Sequence, residues 1–257
     1  MPDDLNNSGY TEQMAQSHAR SSTSARLRFS VRSVVIAVFV ICGLLAVLVP
    51  SVQHLRDSAQ QSLRQFKLQA IGLALLSYHD VYKTFPRAIT YAEDDTPLHS
   101  WRCLTWPFFE SAEVLRYDLN EPWSGPHNNW MRTAKQCPSD YHSPIAPASQ
   151  NPLCTNYVML IDDRPRRPNG PPSRPGSAPP RFDDKSAVIV MEIADSDIHW
   201  MEPRDVLLSE VSIKINDRSN RRLSSYHGGA CIVHADRSVE VLDEATTEER
   251  LRELLTH

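Results

Sequence analysis

The sequence is short of recognisable chemistry. Its 257 residues contain no Gly-x-Ser-x-Gly elbow, no phosphate-cradling glycine loop ending in Lys-Ser/Thr, no His-Glu-x-x-His pair and no Gly-x-Gly-x-x-Gly fingerprint. Serine hydrolases, P-loop enzymes, zinc proteases and dinucleotide-binding oxidoreductases therefore find no support. No paired Cys-x-x-Cys units occur, which excludes a zinc ribbon. The net charge of −4 leaves no basic footprint for nucleic acid. No cofactor, metal or catalytic residue is expected from these absences.

Long apolar runs are also missing, with one exception. Val34 to Val49 (VVIAVFVICGLLAVLV) carries no charge and ends at Pro50. At ~1.5 Å per residue it reaches roughly 24 Å, and uncharged neighbours on both sides extend it toward the ~30 Å of a hydrocarbon core. No acidic residue lies between Arg20 and this run, whereas Arg20, Arg26, Arg28 and Arg32 all precede it. The positive-inside rule then places the N-terminus in the cytoplasm and residue 53 onward outside. A cleaved signal peptide is the alternative, but its apolar core would be only about 7–15 residues, and Val49-Pro50-Ser51 is a poor cleavage site.

Three parts follow from this. Residues 1–28 read as a disordered cytoplasmic tail, 29–52 as a transmembrane anchor, and 53–257 as an extracytoplasmic domain. Within the last, Leu55, Ala59, Leu63, Phe66, Ala70, Leu73 and Ser77 recur at three- and four-residue intervals. That spacing predicts the buried face of an amphipathic helix running to about Tyr82 and ended by Phe85-Pro86. Pro50 can kink it. Short apolar runs at 156–161, 187–193, 230–234 and 238–242 predict strands, the last two forming a hairpin across Ala235-Asp236-Arg237. Thr246 to Leu255 predicts a short closing helix. Residues 164–181 (RPRRPNGPPSRPGSAPPR) hold seven of the nineteen prolines and no large apolar side chain, so they read as a disordered loop inside the domain. The fold class expected is α+β: a long N-terminal helix, part transmembrane and part amphipathic, packed on a small, mostly antiparallel sheet.

The pieces VPSVQHLRDSAQQ, LQAIGLALLSYHDVYKTFP, SWRCLTWPFFE, YDLNEPWSGPHNN, CPSD, TNYVML, VIVMEIADSDIHWMEPRD and YHGGACIVHADRSVEVL stand in this order. Together they resemble the bacterial family catalogued as domain of unknown function 1559, whose members begin with a pilin-like segment. The resemblance implies a pilin- or pseudopilin-like plan and no known activity. Phe29 matches the residue that follows the prepilin cleavage site, but Arg28 replaces the family's Gly and Ser33 its Glu. This degenerate processing site speaks against assembly through a cleaved N-terminus. Arg237 stands where relatives have Gly, so a turn type without φ > 0 is expected there.

Other candidate groups have bland and sharp readings. Cys137 and Cys154 are the favoured disulfide among the four exterior cysteines, Cys103, Cys137, Cys154 and Cys231. His227, His234 and Asp236 could converge on a metal, but a loop entering a strand is simpler. Glu192, Asp195 and Asp197, with Asp162-Asp163 or Asp183-Asp184, could offer oxygens to Ca²⁺, but solvated loop carboxylates are the default. Of Trp101, Trp106, Trp123, Trp130 and Trp200, Trp123 and Trp200 are the candidate binding aromatics, against a packing role for each. The expected function is a non-catalytic, single-pass envelope protein of the bacterial cytoplasmic membrane, structural or scaffolding. Its partners would be the lipid bilayer and envelope or secretion-system proteins, without nucleic acid. An extracytoplasmic ligand- or partner-binding module is the alternative.

Overall fold

The strands at the centre of the domain are apolar on both sides, and the structure covers them on both sides. This computed structural model describes residues 30–109, 117–134, 136–163, 174–180, 184–212, 214–216, 223–226 and 228–256. Helix α1 spans Val31–Tyr82 and continues through Pro50. A two-stranded antiparallel ribbon follows, β1 (Ile89–Tyr91) and β2 (Pro97–Ser100), then the short helices α2 (Trp101–Thr105) and α3 (Asn129–Ala134). The main sheet has β3 (Tyr157–Ile161), β4 (Val188–Glu192), β5 (Val206–Leu207), β6 (Ala230–His234) and β7 (Val239–Leu242), in the order β5-β3-β4-β6-β7. All pairings are antiparallel except β3 with β5. Helix α4 (Glu248–Thr256) closes the chain. The expected α+β class and the four expected strands are found, each boundary within a residue or two.

The chain divides into two compact units, Met1–His54 and Leu55–His257. In the second, strand alternation sorts side chains onto the two faces. Tyr157, Met159 and Ile161 of β3 and Cys231 and Val233 of β6 join Leu68, Ile71 and Leu75 of α1 in one core. Val158, Ala230 and Ile232 face the opposite way, onto Leu251 and Leu254 of α4. In β4 the alternation slips: Ile189 and Val190 both enter the α1 core, and the register against β6 shifts between Val188 and Val190. An extra residue in one strand does this, turning two neighbours to one side.

The face of α1 that packs is not the one its spacing suggested. Arg64, Leu68, Ile71, Ala74 and Leu75 are buried, while Leu55, Leu63, Phe66 and Leu73 stay exposed. The helix carries two apolar stripes, and periodicity alone cannot rank them. Two contacts favour the packed one. Arg64 reaches Glu192 of β4 at 3.2 Å, Ser225 Oγ at 2.5 Å and the Gly229 carbonyl at 2.9 Å. Gly72 lets the β6–β7 turn lie close, since a Cβ built there would stand 3.5 Å from that of Arg237. Helix α1 stops after Tyr82 because Lys83 turns left-handed (φ 58°) and its N–H returns to the His79 carbonyl at 2.7 Å.

Two further expectations are corrected. Arg237 does adopt positive φ (74°), held by its N–H to the His234 carbonyl and by Asp236 Oδ1, which accepts from Ser238 N and Oγ. Of the segment 164–181, expected to be disordered, residues 174–180 are packed. The Gly176 carbonyl accepts from Ile89 N at 3.1 Å, the Pro175 carbonyl from Tyr91 Oη at 2.8 Å, and Arg174 pairs with Asp95. Gly176 is left-handed (φ 70°), and a Cβ there would lie 3.0 Å from Ile161 Cδ1. The remainder of the Pro/Arg segment and the tail 1–28 lie outside the described residues.

Candidate functional site

The motif-rich loops converge on Arg102, a residue the sequence reading passed over. Short helix α2 turns Trp101, Arg102, Cys103 and Thr105 inward, and Arg102 is wholly buried. Its Nη1 meets Asp205 Oδ1 at 2.7 Å. Its remaining donors satisfy carbonyls of Trp200 (2.9 Å), Glu202 (3.0 Å) and Arg204 (3.0 Å). Asp205 Oδ1 also accepts from Trp101 Nε1 at 3.2 Å and Met159 N at 2.8 Å. Burial pushes the Asp205 carboxyl up, and the Arg102 guanidinium opposes that rise. This network ties α2, β3 and the 199–205 loop together; nothing in it faces solvent. The one sequence signal was an arginine set among aromatic and apolar residues in SWRCLTW.

The tryptophans follow the packing reading. Trp101, Trp106 and Trp200 are buried, with Trp106 and Trp200 edge to face at 5.1 Å. Trp200 therefore offers no face to a ligand, and its role as a binding aromatic is withdrawn. Trp123 is half-buried: the Arg132 guanidinium lies 5.9 Å over its ring and the His199 ring 5.6 Å away. Hydrogen bonds fix the His199 tautomer, since Met201 N–H donates to Nδ1 (3.1 Å), leaving Nε2–H for the Arg132 carbonyl (3.0 Å). Burial holds its pKa below the ordinary imidazole value.

Carboxylates gather in one loop. Among the described residues, Asp118, Glu121 and His127 bring one ligand-type atom each within 4.8 Å of one another. The sequence reading took His127 for a turn former. The loop's own bonding accounts for the convergence: Asp118 Oδ1 accepts from Asn120 N, Glu121 Oε2 from His127 N, and buried Asn128 donates to the Asp118, Glu121 and Pro122 carbonyls. The groups weighed for metal do not converge. His227 and Asp183 lie outside the described residues. His234 Nε2 meets Glu240 Oε2 at 3.1 Å, while Asp236 serves its turn. Glu192 is buried against Arg64, Ser143 and Cys231 N. Asp195 accepts from Tyr226 Oη, and Asp163 from Ser209.

A cavity of about 120 Å³ lies under residues 174–180, floored by Met159, Ile161 and Ile189. Its charged rim is engaged, Asp163 with Ser209 and Arg174 with Asp95.

Cys137 and Cys154 are not bonded; all five cysteines are free thiols. Cys137 N–H donates to the Pro152 carbonyl at 2.8 Å, so the two segments run together. Its sulfur, however, turns to the Pro138 carbonyl at 3.6 Å, and Cys154 is taken up in a bridge with His199. Burial raises the Cys137 thiol and pushes that of Cys231 up to about 12, which keeps both protonated. Alkylation of the denatured, unreduced chain should therefore add five labels by mass; three would restore the Cys137–Cys154 bond. Arg28 and Phe29 lie outside the described residues, and Ser33 lies within α1.

Residues 53–206, more than half of the chain, match the family described as Protein of unknown function (DUF1559). The chain belongs to that family. No curated protein and no solved structure matches it. Helix α1 contains an 18-residue stretch apolar enough to cross a membrane, with none of it buried against the rest of the chain.

Proposed function

We propose that this chain is a membrane-tethered, non-catalytic envelope protein of pseudopilin-like plan. Helix α1 holds it in a bacterial cytoplasmic membrane, N-terminus inside, and the α+β domain stands outside as a scaffold for envelope or secretion-system proteins. The observation that carries this reading is the apolar stretch of α1: Val34 to Val49 are exposed throughout, a surface that water disfavours and lipid accepts. The interior supports a scaffold rather than an enzyme. Arg64–Glu192 and Arg102–Asp205 are spent on joining helix to sheet and loop to strand, and three tryptophans are spent on the core.

The full chain should remain in the membrane pellet through alkaline carbonate washing, and protease added to spheroplasts should digest its domain. The mass of the membrane-extracted protein should place its N-terminus upstream of the apolar run. An N-terminus at residues 50–52 would make the run a cleaved signal and end the tether reading. Protection of the domain in intact spheroplasts would reverse the topology.

A further inference from the structure

The stripe that α1 leaves uncovered has the geometry of a helix-pairing seam. Leu63, Phe66 and Leu73 are 45, 65 and 58 % exposed, on the side of α1 away from Arg64, Leu68, Ile71 and Leu75. Scattered exposed leucines need no explanation, but these are not scattered. Ala59, Leu63, Phe66, Ala70, Leu73 and Ser77 follow one another in steps of 4, 3, 4, 3 and 4. That is the 3.5-residue repeat of side chains that interlock with a second helix, not the 3.6 repeat of a helix lying on a sheet. The same steps run through the sequence from Val31 by Val35, Val38, Cys42, Leu45 and Val49 to Val52, with Arg56 the one charged member.

We infer that this seam pairs with a second copy of the chain, parallel and in register. Three observations select that occupant. The repeat runs without a phase change from the membrane stretch into the domain, so the partner must be a helix that enters the same bilayer in the same direction; a second copy does so by construction. The direction rests on the membrane reading above. Next, the positions flanking the seam, Gln60, Ser62 and Gln69, are uncharged, so like meets like without repulsion. Lys67, the flanking cation, is turned to its own domain, donating to the carbonyls of Ser139 (2.5 Å) and His142 (3.0 Å). Finally, small residues (Ala59, Ala70, Ser77) alternate with large ones (Leu63, Phe66, Leu73), which lets two copies approach and fill the space between them.

The test uses the full chain in its membrane. In a Cys42→Ala background, Leu73→Cys should form a disulfide-linked dimer on treatment with copper phenanthroline, and Gln61→Cys, off the seam, at least tenfold less. In detergent, Phe66→Gln should raise the dimer dissociation constant at least tenfold by sedimentation, with tryptophan fluorescence unchanged because Phe66 is no part of the core. A monomer at every concentration, equal cross-linking at positions 61 and 73, or a dimer indifferent to Phe66→Gln would each overturn the seam. A chain that proves soluble yet dimerises through Leu73 and responds to Phe66→Gln would support the seam while sinking the membrane reading.

Discussion

Replacing Arg102 by Met should lower the stability of the full chain in detergent by about 3–5 kcal/mol, the usual loss when one member of a buried ion pair is removed. The size comes from what is left behind. Asp205, buried like its partner, would keep its hydrogen bonds from Trp101 and Met159 but lose its only cation within 2.7 Å. The carbonyls of Trp200, Glu202 and Arg204 would lose their donors in the same step. Lysine should rescue little, since one ammonium cannot span the fork that a guanidinium fills. Replacing both partners (Arg102→Met with Asp205→Leu) should recover part of the loss, because no buried charge then remains, though the orphaned carbonyls persist. Urea denaturation followed by tryptophan fluorescence measures all three. A loss under ~1 kcal/mol for the single variant would mean that the pair is not the clasp described.

Trp200→Ala should cost about 3–5 kcal/mol as a cavity in the core, with Trp123→Ala well below it because that ring is half-buried. Trp200 touches Trp106 edge to face and is wholly buried. Its indole Nε1 has no hydrogen-bond partner among the described residues. Trp200→Phe should therefore be far milder, removing an unsatisfied N–H along with part of the ring volume. The same denaturation series checks this order. A Trp200→Ala chain as stable as the parent would return the residue to the surface, and with it the binding role the structure withdraws.

Much of the architecture is legible along the chain because it depends on local signals. The strands around Val158, Val190 and Ile232 read as apolar runs cut by Asn, Asp and Pro, and they are strands. The end of α1 near Tyr82 follows from Phe85-Pro86. The clasp residues were not legible. Arg102 and Asp205 stand 103 positions apart, Arg64 and Glu192 128, and no periodicity reports a pair at that distance. The disulfide guess failed for a related reason: closeness in sequence made Cys137 and Cys154 easy to join, but side-chain direction is a property of the packed loops.

The sequence by itself determined the apolar stretch of α1, the order of the strands along the chain and the family, since each rests on residues close together or on motifs in a row. Only the tertiary structure decided which stripe of α1 is covered. Both stripes are apolar at helical spacing, and the choice between them is made by groups far away in sequence: Glu192 and Gly229, which receive Arg64, and Arg237, whose turn needs the open space at Gly72.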